Sequence, residues 1–253
     1  MNWQQEKNRI GEELIHILYD SGMIMTWYKD KPEGWTLHSG AWSPFYINLR
    51  PIASLPDSRE ILEKVGYGMG RLMEEEIPEA TKIVGIAMAG IPLAVATTMV
   101  TGVPSCYTRK FEGVRDIDGL QIAIARYGSH SLVEGRISPD DNLVLVDDLV
   151  TRFGSKEIAR DQVLHQLENT EGLQDVTCDN VAVLVDREQG ASKRAQELGI
   201  GLYSLVPLLS EGLDWLGDKM APIEQKLIRQ YLDDPKNIPS QAEFLRIAQG
   251  ANK

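Results

Sequence analysis

Cysteine is nearly absent from this chain: Cys106 and Cys178 are the only two among 253 residues. Two thiols cannot form a disulfide framework, and no C-x-x-C pair marks a metal or redox centre. A reduced, cytoplasmic setting is therefore expected. Cations are also in short supply. Lys and Arg number 26 against 37 Asp and Glu, a net charge of −11. That balance argues against binding nucleic acid through its phosphates, although a local cluster of cations still suits a phosphorylated small molecule. No apolar run reaches the length of a bilayer-spanning helix. The opening MNWQQEKNRIGEELIHIL is polar and amphipathic, without an apolar signal core. Neither a membrane nor a nucleic-acid partner is expected. There is no internal repeat and no low-complexity tract.

What is present is an ordinary globular composition, 43% hydrophobic and 25% charged, which excludes wholesale disorder. The length suits one α/β domain with appendages, or a large and a small domain. Ile10, Leu14, Ile17 and Leu18 recur at helical spacing, so the first twenty residues read as an amphipathic helix ended by Gly22. Residues 23–50 read as short strands and turns. Asp57 or Ser58 caps a helix with apolar positions Ile61, Leu62, Val65, Met69, Leu72 and Met73.

From there the pattern alternates. Strands are expected at 83–87, 104–109, 142–147, 180–186 and 201–206, with helices at 91–101, 154–167 and 190–198. Such alternation implies a mainly parallel sheet with helices on both faces. Residues 110–141 lack a sustained apolar period, and so long a connection is usually functional or mobile. Residues 209–253 read as an added helical tail punctuated by Pro222, Pro235 and Pro239.

The densest chemistry lies at Asn142–Lys156, NLVLVDDLVTRFGSK. Four apolar residues, Leu143 to Val146, suit a strand covered on both faces. Asp147 and Asp148 follow at its carboxyl end, where open α/β sheets bind ligands. The loop Thr151-Arg152-Phe153-Gly154-Ser155 then opens a helix, whose N-terminal amides suit a phosphate. Carboxylates beside a phosphate cradle fit a phosphorylated sugar, with the acids accepting from ribose hydroxyls. Alone, the acid pair is equally a strand-end cap, and Thr151 and Ser155 are equally turn and N-cap residues.

This constellation resembles the phosphoribosyl-pyrophosphate (PRPP) motif of type I phosphoribosyltransferases. Three other segments narrow the resemblance to the orotate phosphoribosyltransferases. SGAWSPFYINLR (39–50) resembles the family's N-terminal base-site segment, GIAMAGIPL (85–93) its pyrophosphate loop, and VDREQGA (185–191) the segment with a base-binding arginine. All four occur in family order, which is far more specific than any one alone.

The resemblance implies the type I phosphoribosyltransferase fold, with a small N-terminal hood over 1–56, a core over 57–208 and C-terminal helices over 209–253. It implies transfer of the phosphoribosyl group from PRPP to N1 of orotate, releasing pyrophosphate, in pyrimidine nucleotide synthesis. Mg²⁺ is implied, held mainly through PRPP and pyrophosphate, and so is a homodimer sharing a flexible catalytic loop at about 109–135. Arg109 and Lys110 match the pair that opens this loop, and Asp147 and Asp148 match the acids for the ribose. Thr151, Arg152, Gly154 and Ser155 match the 5′-phosphate loop, and Ala89 and Gly90 the pyrophosphate loop. Tyr46, His38 and Arg187 match the base site.

Several positions depart from the family pattern. Arg152 and Phe153 replace small residues, so Phe153 either crowds the cradle or turns away from it, while Arg152 can add a bidentate phosphate contact. Ala89 stands where many bacterial members carry lysine, and His38 replaces a common lysine. The catalytic-loop lysine falls at Ala125 beside an apparent insertion at 111–124, leaving Arg126 or Arg115 as substitutes; His130 is a further candidate. Two other readings therefore stay open: a phosphoribosyltransferase for another base, and a non-catalytic PRPP- or nucleotide-binding sensor.

Overall fold

The computed structural model describes residues 2–37, 40–128, 130–236 and 238–251. Helix α1 (Trp3–Asp20) is opened by Asn2, whose side chain accepts from the Gln5 N–H in a capping box. The hood follows as two small antiparallel pairs. Strand β1 (Ile24–Thr26) pairs with β4 (Phe45–Ile47), and between them β2 (Trp35–Thr36) pairs with β3 (Trp42–Ser43). Helix α2 (Ser58–Glu76) leads into the core.

Six strands form the central sheet: β5 (Lys82–Gly85), β6 (Ser105–Thr108), β7 (Val133–Glu134), β8 (Asn142–Val150), β9 (Thr177–Asp186) and β10 (Gly201–Pro207). Their order is β10-β9-β8-β5-β6-β7, and every pairing is parallel except β6 with β7. Helix α3 (Gly90–Thr101) links β5 to β6, α4 (Ile117–Tyr127) precedes β7, α5 (Gly154–Glu168) links β8 to β9, and α6 (Ala191–Glu197) links β9 to β10.

Side-chain alternation divides the core. Ile83, Val144, Val146, Ala182 and Leu184 point into a layer shared with α1, α2 and α3. Val84, Leu143, Leu145, Val181 and Val183 point to the other face, under α5 and α6. Both faces of these strands are covered, which explains their unbroken apolar runs.

After β10, a π-helical turn (Leu208–Gly212) runs into the single turn α7 (Leu213–Trp215), then α8 (Pro222–Asp233) and α9 (Gln241–Ala251). This tail is bolted to the hood. Trp27 is fully buried, donates from Nε1 to the Phe244 carbonyl at 3.1 Å, and meets the Phe244 ring edge-on at 4.9 Å. Trp42 contacts the same ring at 4.8 Å. Buried Glu224 of α8 accepts from the Thr26 hydroxyl and from the Ala221 N–H at 3.1 Å. Each large apolar side chain so buried contributes about 1.5–3 kcal/mol.

Two sequence expectations change. Strand β8 runs to Val150 rather than ending at residue 147, because its register with β9 continues through Leu149↔Val185 and Val150↔Asp186. The connection 110–141 is not an unstructured loop: α4 occupies its middle. Leu120 and Ile124 are buried there with Leu132, against Phe111, Val114, Tyr127 and Ile158.

Candidate functional site

The strand order fixes where a ligand fits. From β5 the chain winds outward through α3 to β6. From β8, beside β5, it winds the other way through α5 to β9. The crevice at the carboxyl ends of β5 and β8 is therefore the topological switch point. A cleft of about 350 Å³ opens there, lined by Ala87, Met88 and Ala89 after β5, by Asp147, Asp148 and Leu149 at the end of β8, and by Ser155 and Lys156 in the first turn of α5. The hood contributes Leu37, Tyr46, Ile47, Asn48 and Arg50, and Lys110 and Arg187 complete the lining.

Asp147 is buried, and its carboxylate is ion-paired with Lys156 Nζ at 2.8 Å while accepting from the Asp148 N–H at 2.9 Å. Lys156 also donates to the Leu149 carbonyl and to Ser155 Oγ at 3.3 Å. Sequence reasoning stopped at Ser155 and missed this lysine. A signal was present: Lys156 lies in the first turn of α5, where the helix dipole disfavours a cation, so a lysine there implies an anion waiting for it. With Asp147 compensated, the strain falls on Asp148. Burial first, and the neighbouring Asp147 charge second, push its carboxyl up to about 7, with Lys156 opposing.

The loop after β8 resolves the question of Phe153. Its side chain is 1% exposed and packs in the core layer with Val150, Ala159 and Ala191. The backbone adopts φ 74° to turn the ring inward, a left-handed conformation that costs about 1–2 kcal/mol for a residue with a Cβ. Burial of the ring offsets that cost, and the cradle is left clear. Thr151 is half-buried and Arg152, Gly154 and Ser155 are exposed. No side chain caps the N-terminus of α5; the Phe153 carbonyl accepts from the Lys156 and Glu157 N–H groups at 2.8 and 3.1 Å, which leaves the Gly154 and Ser155 amides to an anion.

Gly90 is held to glycine by packing. A Cβ there would lie 2.2 Å from the Val146 carbonyl oxygen. The residue is small so that α3 can press against β8 beneath the acid pair. In the same loop the Ala87–Met88 peptide is cis, and the Ala87 N–H donates to Thr108 Oγ1 at 3.0 Å.

At the other end of the cleft, Arg187 follows β9, and its N–H donates to the Val150 carbonyl at 3.1 Å. Its side chain is 5% exposed, with the guanidinium 4.3 Å from the Phe45 ring centroid. Nε and Nη2 are buried without a hydrogen-bond partner among the described residues. Burial lowers its pKa from the usual arginine range. Tyr46 stacks on Trp35 with ring centroids 6.2 Å apart. Arg50, Asn48 and Met88 also line the cleft and were missed in sequence; Arg50 stands in the quoted base-site segment.

The remaining candidates scatter. Lys110 reaches the cleft, and it also lines an adjoining cavity of about 180 Å³ with Arg109. Arg109 is ion-paired with Glu134 and lies 5.3 Å from the Tyr127 ring centroid. Arg126 and Arg115 are exposed and line neither space. His130 lines a separate cavity with His165 and Gln166. His38 lies outside the described residues. Among the described residues, no three His, Cys, Asp or Glu side chains gather as a metal cage.

Because Lys156 compensates a buried carboxylate, Lys156→Ala leaves Asp147 unpaired. Stability should fall by about 3 kcal/mol in a denaturant titration, and an unchanged midpoint would show that the pair contributes little.

No protein-family model matches the chain. The orotate phosphoribosyltransferase of Methanosarcina mazei is 30% identical over 209 residues, covering 83% of this chain and 91% of that protein. The orotate phosphoribosyltransferase of Saccharolobus solfataricus is 31% identical over 198 residues, covering 78% and 87%. Among solved structures, the orotate phosphoribosyltransferase of Aeropyrum pernix superposes with TM-score 0.58 at 22% identity, covering 81% of this chain and 97% of that one, a likeness of fold. Identity at this level along nearly the whole length of two such proteins, with the fold in common, makes this chain a member of the orotate phosphoribosyltransferase family.

Proposed function

We propose that the chain is an orotate phosphoribosyltransferase, taking the phosphoribosyl group from PRPP to N1 of orotate and releasing pyrophosphate in pyrimidine nucleotide synthesis. The observation that carries this reading is the meeting, in one cleft, of the Asp147–Asp148 pair and a buried arginine with two unpartnered nitrogens. A buried guanidinium left unsatisfied costs stability unless a ligand completes it. The planar acidic edge of orotate matches that fork.

As the bond at C1 of the ribose breaks, positive charge grows on the sugar and negative charge on the departing pyrophosphate. Electrostatic stabilisation and positioning are what the protein must supply. Asp148, with Asp147 beside it, accepts from the ribose hydroxyls and places negative charge near the developing cation. Thr151, Ser155 and the open N-terminus of α5 hold the 5′-phosphate, and Arg152 stands exposed beside them. Lys110, in the cleft without an ion pair among the described residues, faces the pyrophosphate end, together with the loop carrying Ala89. Arg187 grips orotate, and Tyr46 offers it a ring face.

Mg²⁺ supplies charge neutralisation at the leaving group. The residues fit that use: with no cage among the described residues and one of the two acids already ion-paired, the cation would take most of its oxygens from substrate and water, with Asp148 as the protein carboxylate at hand.

We also propose a homodimer in the cytoplasm. Helix α3, GIPLAVATTMVT, is apolar nearly all round, yet Val95, Met99 and Val100 on its outer face are exposed, Met99 at 82%. A helix of that composition normally has neighbours on every side, and a second copy would give it one through a self-complementary interface. Cys106 and Cys178 are buried free thiols, consistent with a reducing compartment.

With Mg²⁺, PRPP and orotate, the protein should consume the absorbance of orotate. The folded protein holds the Asp148 proton up to about pH 7, above the usual carboxylate range, and the sugar hydroxyls need the ionised form. The KM for PRPP should therefore fall as pH rises through 7, and Asp148→Asn should flatten that profile. Intact PRPP binding without turnover would instead favour the non-catalytic sensor. In light scattering the protein should run as a dimer, and Met99→Glu should make it a monomer; a monomeric wild type would remove the dimer from the account.

A further inference from the structure

Both stems of the segment that carries Lys110 are held by glutamines of α5. The β6–β7 ladder pairs Tyr107 with Glu134 and Thr108 with Val133, so its next rung sets Arg109 opposite Leu132. Half of that rung forms: the Arg109 N–H donates to the Leu132 carbonyl at 3.0 Å. An antiparallel rung of this kind ordinarily carries a second, reciprocal bond. Here α5 takes both groups that would make it. Gln162 donates from Nε2 to the Arg109 carbonyl at 2.9 Å and to the Leu132 carbonyl at 2.7 Å. Gln166 accepts at Oε1 from the Leu132 N–H at 2.7 Å. Both atoms facing the Gln162 amide are carbonyl oxygens, so only its nitrogen can meet them. The side chain is 3% exposed, and its two amide hydrogens are both used. Ile158, Gln162 and Gln166 follow at four-residue spacing along one face of α5. That face begins beside Ser155 of the phosphate loop: Ser155, Ile158 and Gln162 line the 180 Å³ cavity together with Arg109 and Lys110.

We propose that Gln162 is a positioning residue for Lys110, acting through the peptide group that it holds. The Arg109 carbonyl and the Lys110 N–H belong to one rigid plane. Fixing that carbonyl therefore sets the direction in which the Lys110 side chain leaves the end of β6. A lysine is long and flexible, and confining it to the cleft costs entropy that a fixed backbone reduces. One face of one helix then keeps two parts of the site in register, the phosphate loop at Ser155 and the cation at Lys110. Gln166 plays a lesser part, anchoring the returning strand without touching the Lys110 peptide. The inference rests on the functional reading above, in which Lys110 faces the departing pyrophosphate.

The test is a double-mutant cycle on the full-length protein with Gln162→Met and Lys110→Ala. Gln162→Met keeps the length of the side chain and removes both donors. Alone it should lower kcat/KM for PRPP about tenfold, as loss of buried hydrogen bonds gives, with the KM for orotate within about twofold of wild type. Added to Lys110→Ala it should lower kcat/KM no further, because the lysine that it aims is gone. Gln166→Met should keep kcat/KM for PRPP within about twofold. If Gln162→Met does not fold, Gln162→Asn, which withdraws the amide by one methylene, should show the same pattern. Equal losses with and without Lys110, or equal losses from the two glutamines, would mark a merely structural clamp and overturn the proposal. So would wild-type PRPP kinetics in the Gln162 variant. An active wild type indifferent to Lys110→Ala removes Lys110 from the site, and this inference with it. A wild type idle on orotate is a separate outcome, rejecting the functional reading itself.

Discussion

The ion pair between Lys156 and Asp147 is the constraint around which the site is arranged. A carboxylate at the end of a covered parallel strand is expensive unless it is compensated. The compensation comes from the first turn of the very helix that the strand leads into. That one contact, with the hydrogen bonds of Lys156 to Leu149 and Ser155, closes the loop on itself. It leaves the second acid, Asp148, to face the cleft with a carboxyl that burial and its neighbour hold near neutral pH. The loop can be this compact because Phe153 turns into the core and Gly90 lets α3 approach β8.

Around this centre the chain divides its labour by element. The sheet core supplies, from the two loops at the switch point, the half of the cleft proposed for the ribose and phosphate. The half proposed for the base is composite: Arg187 comes from the loop after β9 and Tyr46 from the hood, with Phe45 under the guanidinium. The hood is too small to hold a core alone, and it is secured by the packing of buried Trp27 and half-buried Trp42 against Phe244 and by Glu224 on Thr26. The geometry around Tyr46 and Arg187 therefore depends on packing far along the chain from them.

Much of this was legible in the sequence, because the signals involved are local. The apolar runs of β8 and β9, the alternation of strands and helices, and the acid pair before a helix start all follow from short-range pattern. The resemblance to orotate phosphoribosyltransferases, read from four segments, agrees with the family the chain belongs to. What escaped was non-local. Helix α4 has only Leu120 and Ile124 as buried positions, too few to show a period, and its other support comes from Phe111 and Leu132 outside the helix and from distant Ile158. The continuation of β8 to Val150 depends on its register with β9. The direction of Phe153 is decided by a core that no window around it contains. Arg126, a plausible substitute cation in sequence, sits exposed on α4, while Lys110 reaches the cleft.

The most direct test of the central claim is a crystal structure of the protein with PRPP and Mg²⁺. The account predicts the ribose hydroxyls on Asp148 and Asp147, the 5′-phosphate on the amides that open α5, Lys156 still paired with Asp147, and Phe153 still in the core. A structure with the sugar phosphate bound elsewhere, or with Lys156 drawn away from Asp147 to the phosphate, would contradict it.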